Sequence, residues 1–214
     1  MNDEAHTPAA WSARVEQGIT AMGLRLDAGQ HALLLGYLQL LAKWNRVYNL
    51  TAVRNPADMI GRHLLDSLTL LPWVTRGPVL DVGTGAGLPG IPLAVARPDL
   101  GFALLDANGK KTRFVQQAAA ELGLANVEVI KSRVETFDRR GRYAVVTSRA
   151  FATLADMVAG SGHLLAADGC WLAMKGARPD AEISDLPDGL TVRVEPLNVP
   201  EEPGARHLAI IRRG

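Results

Sequence analysis

Chemically purposeful residues are most concentrated in the run Leu80-Asp81-Val82-Gly83-Thr84-Gly85-Ala86-Gly87, continued by Leu88-Pro89-Gly90. Gly83, Gly85 and Gly87 carry no Cβ, so backbone there can approach a ligand closely, just ahead of a short helix expected at 91–96. Gly85-Ala86-Gly87-Leu88-Pro89-Gly90 satisfies the Gly-x-Gly-x-x-Gly fingerprint of nucleotide-binding crossovers, a pattern shared by NAD and S-adenosylmethionine sites. Asp81 shifts the balance toward the second, with a purely structural role as its alternative. A carboxylate directly before the first glycine would repel the pyrophosphate of a dinucleotide, whereas the ammonium and sulfonium groups of S-adenosylmethionine are cations that an acid stabilises.

Downstream, Asp106 ends a second apolar run at the spacing expected of an acid that accepts hydrogen bonds from both ribose hydroxyls. Capping of the helix that follows is its competing structural role. After a third apolar run, Ser132-Arg133-Val134-Glu135 falls where an adenine is held by apolar contact and an edge hydrogen bond, which makes Val134 and Glu135 candidates. Arg149 follows the fourth run, where its planar fork could hold cofactor or acceptor; a salt bridge to Asp81 or Asp106 is the structural alternative.

These residues need a scaffold that gathers them. Short apolar runs at 78–82, 101–105, 127–130, 143–147 and 170–174 alternate with segments of helical period such as 110–122, which implies parallel strands joined by crossover helices. That arrangement collects the loops at the carboxyl ends of the strands. Two further strands, 190–197 and 206–212, have no long helix between them and suit an antiparallel edge hairpin. Before residue 75 the pattern is helical. Asp27 with Gln30 forms a capping box for a helix over 28–48, and Asn55-Pro56 opens a second one with Met59, Ile60, Leu64, Leu68 and Leu71 on its apolar side. The expected organisation is an α/β sheet core at 76–214 with a helical extension at 1–75 packed on it as one integrated unit.

Composition sets outer limits. The 214 residues are 48% hydrophobic and 21% charged with a net charge of +1, so the chain reads as an ordinary globular protein, and contact with nucleic acid must rest on a local patch. Lys43, Arg46, Arg54, Arg62, His63, Lys175 and Arg178 are the candidates for such a phosphate-binding rim. The single Cys170 sits in an apolar stretch and reads as a small buried hydrophobe. The acidic start and the short, interrupted apolar runs predict no membrane span and a cytoplasmic location. No His, Cys and acid cluster has metal-ligand spacing.

The assembled residues resemble the RsmG (GidB) family, bacterial methyltransferases that modify N7 of a guanine in small-subunit ribosomal RNA. The resemblance is carried by Lys43-Trp44-Asn45-Arg46-Val47-Tyr48-Asn49-Leu50-Thr51, Arg62-His63-Leu64-Leu65-Asp66-Ser67, the turn at 81–92, Ser132-Arg133-Val134-Glu135, Ser148-Arg149-Ala150-Phe151 and Met174-Lys175-Gly176. Ala107, where a serine often follows the acid, and Met174 in place of a leucine are small departures that remove no required group. The resemblance implies a class I S-adenosylmethionine-dependent methyltransferase fold, Rossmann-like with an antiparallel edge strand. It also implies cofactor contacts at Gly83, Leu88, Val134, Glu135 and Arg149, with 16S ribosomal RNA or the small subunit as partner.

On that reading Arg62, His63, Phe151 and Lys175 are the acceptor-side candidates. Guanine N7 bears an unprotonated in-plane lone pair, so alignment rather than a general base carries the reaction. The other readings of the same residues are an NAD-dependent oxidoreductase using the glycine turn and a noncatalytic RNA-binding assembly factor.

Overall fold

The computed structural model describes residues 8–149 and 153–214. Phe151, an acceptor-side candidate, lies outside the described residues.

Among these residues seven strands form one sheet: β1 (Val79–Val82), β2 (Phe102–Asp106), β3 (Val127–Lys131), β4 (Tyr143–Ser148), β5 (Leu165–Lys175), β6 (Leu190–Leu197) and β7 (Arg206–Arg213). Their order is β3-β2-β1-β4-β5-β7-β6, with β1 to β5 parallel and β7 antiparallel to both of its neighbours. The expected terminal hairpin therefore exists, but β7 enters the sheet between β5 and β6. The strand expected at 170–174 is longer, and its register on β4 shifts between Tyr143 and Val145.

The chain order reverses between β1 and β4, and in sheets of this kind the ligand crevice lies at the carboxyl ends of the strands at that point. Register places Asp81 beside Leu104 of β2 and Thr147 of β4, so the acid is buried at the point where the chain order reverses.

Among the described residues three helices precede the sheet: α1 (Pro8–Ala21), α2 (Ala28–Tyr48) and α3 (56–68). Apart from the general helical character of the first third, α1 has no counterpart in the sequence reading. In α2 the capping box is present, with Gln30 N–H donating to Asp27 and Asp27 N–H donating to Gln30. The same Gln30 amide also donates to the Val95 and Ala96 carbonyls at the end of α4 (Gly90–Ala96), tying the helical region to the sheet layer.

Helix α3 is not the uniform helix that its spacing suggests. Between the α-turns Pro56–Met59 and Asp66–Leu68 it widens to a π-helical segment, Ile60–Leu65, in which Asp66 N–H reaches the Gly61 carbonyl five residues back. Such insertions re-aim side chains and occur often at functional sites. Leu71, expected on the same helix, belongs to a separate 3-10 turn, Leu71–Trp73.

Helix α5 (Gly109–Glu121) follows β2, and α6 (Leu154–Ser161) and α7 (Asp180–Ser184) flank β5. Apolar side chains pack on both sheet faces. Leu34, Tyr37, Leu38, Leu64 and Leu68 join the face carrying Leu104 and Leu172, while Leu80, Val82, Val146 and Trp171 pack on the other.

Candidate active site

The glycine turn is built by bracing rather than by a free loop. Gly83, Gly85 and Gly87 have φ of 66°, 60° and 91°, left-handed conformations that a Cβ would strain. Two carboxylates hold the turn. Asp81 Oδ2 accepts from the Thr84 hydroxyl at 2.6 Å and from Gly90 N–H at 2.9 Å, and Asp106 Oδ2 accepts from Gly85 N–H at 2.9 Å. A third brace comes from α2, where the buried Tyr37 hydroxyl donates to the Ala86 carbonyl at 2.8 Å.

Asp81 is fully buried, and its second oxygen, Oδ1, has no hydrogen-bond partner. Burial pushes its carboxyl up to about 7, against the pull of the Thr84 and Gly90 bonds and of Arg149. An acid in that state gains from any cation placed beside it. The buried Ser148 hydroxyl, one residue past the Asp81 register partner on β4, is likewise unpartnered. These orphaned atoms and the Cβ-free turn fit a cationic nucleotide-like ligand.

Asp106 does not cap α5. Asn108 does, accepting from Lys110 and Lys111 N–H, while Asp106 Oδ1 accepts from Asn108 N–H at 2.7 Å. With two amides satisfied, the carboxylate retains lone pairs for further donors. Val134 is buried against Leu80, Val82, Ala103 and Leu105, and Glu135 next to it is exposed. Leu88, expected from the resemblance to contact the cofactor, is only 4% exposed and packs into the core.

Arg149 does form a salt bridge, but its partner is Asp66 and not Asp81 or Asp106. Arg149 Nη1 lies 3.0 Å from the Arg62 carbonyl, 3.4 Å from His63 Nδ1 and 3.4 Å from Asp66 Oδ2, so it bonds along one side of the π segment. Asp66 is buried, and its other oxygen faces Arg206 Nε of β7 at 3.3 Å. Burial raises the Asp66 carboxyl, opposed by those two guanidiniums.

His63 is also buried, with Nε2 2.8 Å from the Thr51 hydroxyl and Nδ1 3.0 Å from the Arg62 carbonyl. Desolvation and the nearby Arg149 lower it to about 4, so the ring is neutral at physiological pH and adds no charge to a phosphate rim.

Arg62, His63, Asp66, Arg149, Lys175 and Arg206 line a cavity of about 610 Å³ whose lining does not include the glycine turn. The other basic candidates separate from it. Arg54 is spent on Asn49 and Arg178 on Asp180, and Lys43 and Arg46 lie on α2 outside this lining.

Sequence reading missed several residues that build the site. Asn45 donates to the Val53 carbonyl and accepts from Thr51 N–H, folding the loop whose Thr51 hydroxyl meets His63. Tyr37, Thr84, Asp66 and Arg206 were missed for a shared reason, since each acts through a partner whose identity only the fold reveals. A local signal existed for Thr84 alone, three residues after Asp81 within the turn.

Among the described residues no group of three or more His, Cys, Asp and Glu is placed to hold a metal ion, and no helix is long and apolar enough to cross a membrane.

Comparison with known proteins agrees with this geometry. Residues 30–209 match the model of the GidB family, described as rRNA small subunit methyltransferase G. The chain belongs to this family. It is 50% identical over 215 residues to the ribosomal RNA small subunit methyltransferase G of Xanthomonas euvesicatoria pv. vesicatoria, covering 100% of both chains. To the protein of the same name from Neisseria meningitidis serogroup C it is 53% identical over 202 residues, covering 94% of this chain and 97% of that one.

Among solved structures it is similar to magnesium protoporphyrin IX methyltransferase (ChlM) from Synechocystis, with a TM-score of 0.59 at 18% identity over 88% of this chain and 98% of that one. A SAM dependent methyltransferase from Aquifex aeolicus gives 0.57 at 16% identity over 76% and 96%. At such identities these two establish the fold, that of class I methyltransferases, while the curated relatives carry the family.

Proposed function

We propose that this GidB-family protein binds S-adenosylmethionine in the crevice at Asp81 and Asp106 and methylates N7 of a guanine in 16S ribosomal RNA of the small subunit, in the cytoplasm. The observation that carries the reading is the fully buried Asp81, with Oδ1 unpartnered beside a glycine turn whose amides are already braced. A dinucleotide would bring negative charge to that acid, so the oxidoreductase reading loses its footing. The relatives' shared name as small-subunit rRNA methyltransferases supports the acceptor class.

S-adenosylmethionine, when bound, supplies a methyl group on an electrophilic sulfonium sulfur. The chain's part is to hold and align. Asp81 offers its buried carboxylate to a cation, and Asp106 has acceptor capacity left for ribose hydroxyls. Val134 and the backbone of Gly83 and Leu88 bound the nucleoside, with Glu135 at its rim.

Guanine N7 needs no proton removed, so the absence of a basic side chain from the role is chemically consistent, and the neutral His63 serves as a brace. Arg149 lines the cavity and orients the acceptor through guanine O6 or a phosphate. Asp66, 3.4 Å away, offsets its charge, which lessens opposition to positive charge developing on the purine. Arg62 and Lys175 border the acceptor side, and Phe151 remains a stacking candidate there.

The helices before residue 75 are read as an integral part of this unit, on the strength of the Tyr37 and Gln30 bonds into the core. Incubation with labelled S-adenosylmethionine and unmodified small subunits, followed by mapping of the labelled nucleotide, tests the function. Label on guanine N7 is expected. Label confined to adenine or cytosine, or none, overturns it.

A further inference from the structure

The cavity lined by Arg149 neutralises itself. Each of its four lysine and arginine side chains has an internal carboxylate partner: Arg149 and Arg206 share Asp66, Lys175 has Glu182, and Arg62 has Glu202. A nucleic-acid phosphate can gain a full ionic contact here only by replacing one of these carboxylates.

Three of the pairs are poor candidates for exchange. Asp66 is buried between two guanidiniums, and Glu182 bonds Lys175 at 2.7 Å while also accepting from Leu154 N–H at 2.8 Å. The fourth pair differs in its separation and in the exposure of its cation. Arg62 Nε stands 3.6 Å from Glu202 Oε2, beyond hydrogen-bond reach, and the Arg62 side chain is 55% exposed.

Glu202 lies in the turn between β6 and β7, yet its side chain is only 14% exposed, and a Cβ on Gly61 would come within 2.9 Å of its Oε1. Its neighbour Glu201 holds φ of 69°, a left-handed conformation costly for glutamate, and is fastened to Arg14 of α1 at 2.5 Å. A desolvated carboxylate on a surface turn, loosely matched to an exposed guanidinium, is a placeholder for a better anion.

We propose that Arg62 is a phosphodiester subsite for the acceptor RNA and that Glu202 occupies it until a backbone phosphate, able to engage the guanidinium bidentately, displaces the carboxylate. The inference rests on the RNA-methyltransferase reading and names the group that this part of the site takes. Displaced Glu202 then attracts a solvent cation, so the counterion released by the phosphate is offset and this contact adds little to the salt dependence of binding.

The test measures binding of a 16S ribosomal RNA transcript to the full-length protein without cofactor, across a salt series, for wild type, Glu202→Gln, Arg62→Gln and the double variant. Glu202→Gln is expected to bind about two- to fivefold more tightly at low salt. Its log-log salt slope is expected to steepen by about 0.7, the value for one uncompensated contact to a single strand. In the Arg62→Gln background both gains vanish. Glu128→Gln, the same change of charge at a surface pair with Arg139 remote from the cavity, leaves binding unchanged.

Equal or weaker binding by Glu202→Gln, a gain that persists without Arg62, or a gain matched by Glu128→Gln overturns the proposal. Because binding is read without methyl transfer, RNA affinity that follows this pattern in a protein unable to methylate would sink the function and leave the subsite standing. The converse result would do the opposite.

Discussion

The hydroxyl of Tyr37, on the second helix, donates at 2.8 Å to the carbonyl of Ala86, inside the glycine turn at the end of β1. A residue 49 positions upstream thus supports the backbone that would face the cofactor. Tyr37 and Ala86 are both buried, so Tyr37→Phe leaves the carbonyl without this donor. A loss of about 1–3 kcal/mol in urea unfolding is expected, together with weaker S-adenosylmethionine binding by calorimetry. Unchanged values of both would mean that the turn does not depend on this bond.

Gly90 is a steric requirement rather than a conformational one. A Cβ there would lie 2.1 Å from Leu104 Cδ2 and 2.8 Å from Asp81 Oδ2. Gly90→Ala should therefore cost about 1–3 kcal/mol in stability and disturb the amide that Asp81 accepts from. Wild-type unfolding and wild-type cofactor affinity in this variant would contradict the packing described.

Asp81 links cofactor binding to pH. Its carboxyl is raised to about 7 in the folded protein, so the folded state holds the proton more tightly than the unfolded chain. The stability from this group is complete at low pH and is lost as pH rises toward 7. A bound cation favours the ionised carboxylate, so S-adenosylmethionine binding should release a proton below about pH 7, and affinity should climb with pH and then level off. Calorimetry near pH 6 in two buffers of different ionisation enthalpy reads the release directly, and Asp81→Asn should abolish it. Buffer-independent heats for the wild type would remove Asp81 from contact with the cation.

His63 works in the opposite sense. Its folded value is lowered to about 4 from 6.5, so the unfolded chain binds the proton first as pH falls. Stability from the neutral ring is present above pH 6.5 and is lost on descent to about 4, by roughly 2–3 kcal/mol. Comparing urea unfolding of wild type and His63→Gln between pH 7 and 4.5 isolates this contribution, because Asp66 and Asp81 are common to both proteins. An identical pH dependence in the two would show that His63 titrates normally.

What could be read from the chain divides along physical lines. The turn at 83–87, Asp106 at the end of β2 and the alternation of strands and helices are local, written in glycine chemistry and in periods of 2 and 3.6. The capping box at Asp27 and Gln30 was legible for the same reason. The π segment was not, since Ile60, Leu64 and Leu68 satisfy an ordinary helical spacing and the extra residue in the turn leaves no mark on composition.

The partner of Arg149 was also beyond reach. Asp66 lies 83 residues away, and its choice over Asp81 or Asp106 depends on how α3 meets the end of β4. His63 looked like a surface cation and proved to be an uncharged brace because burial, which the sequence does not display, governs its ionisation.

The placement of β7 between β5 and β6 carries a temporal meaning. During synthesis β6 emerges with no ladder partner, and it must wait for a strand that is translated later and then wedged in front of it. The glycine turn and its supporting acids are complete well before that event. Arg206 and His207, which close the basic wall of the cavity, arrive with the final strand. A nascent chain therefore carries every residue of the glycine turn before it carries the last two residues of the cavity wall.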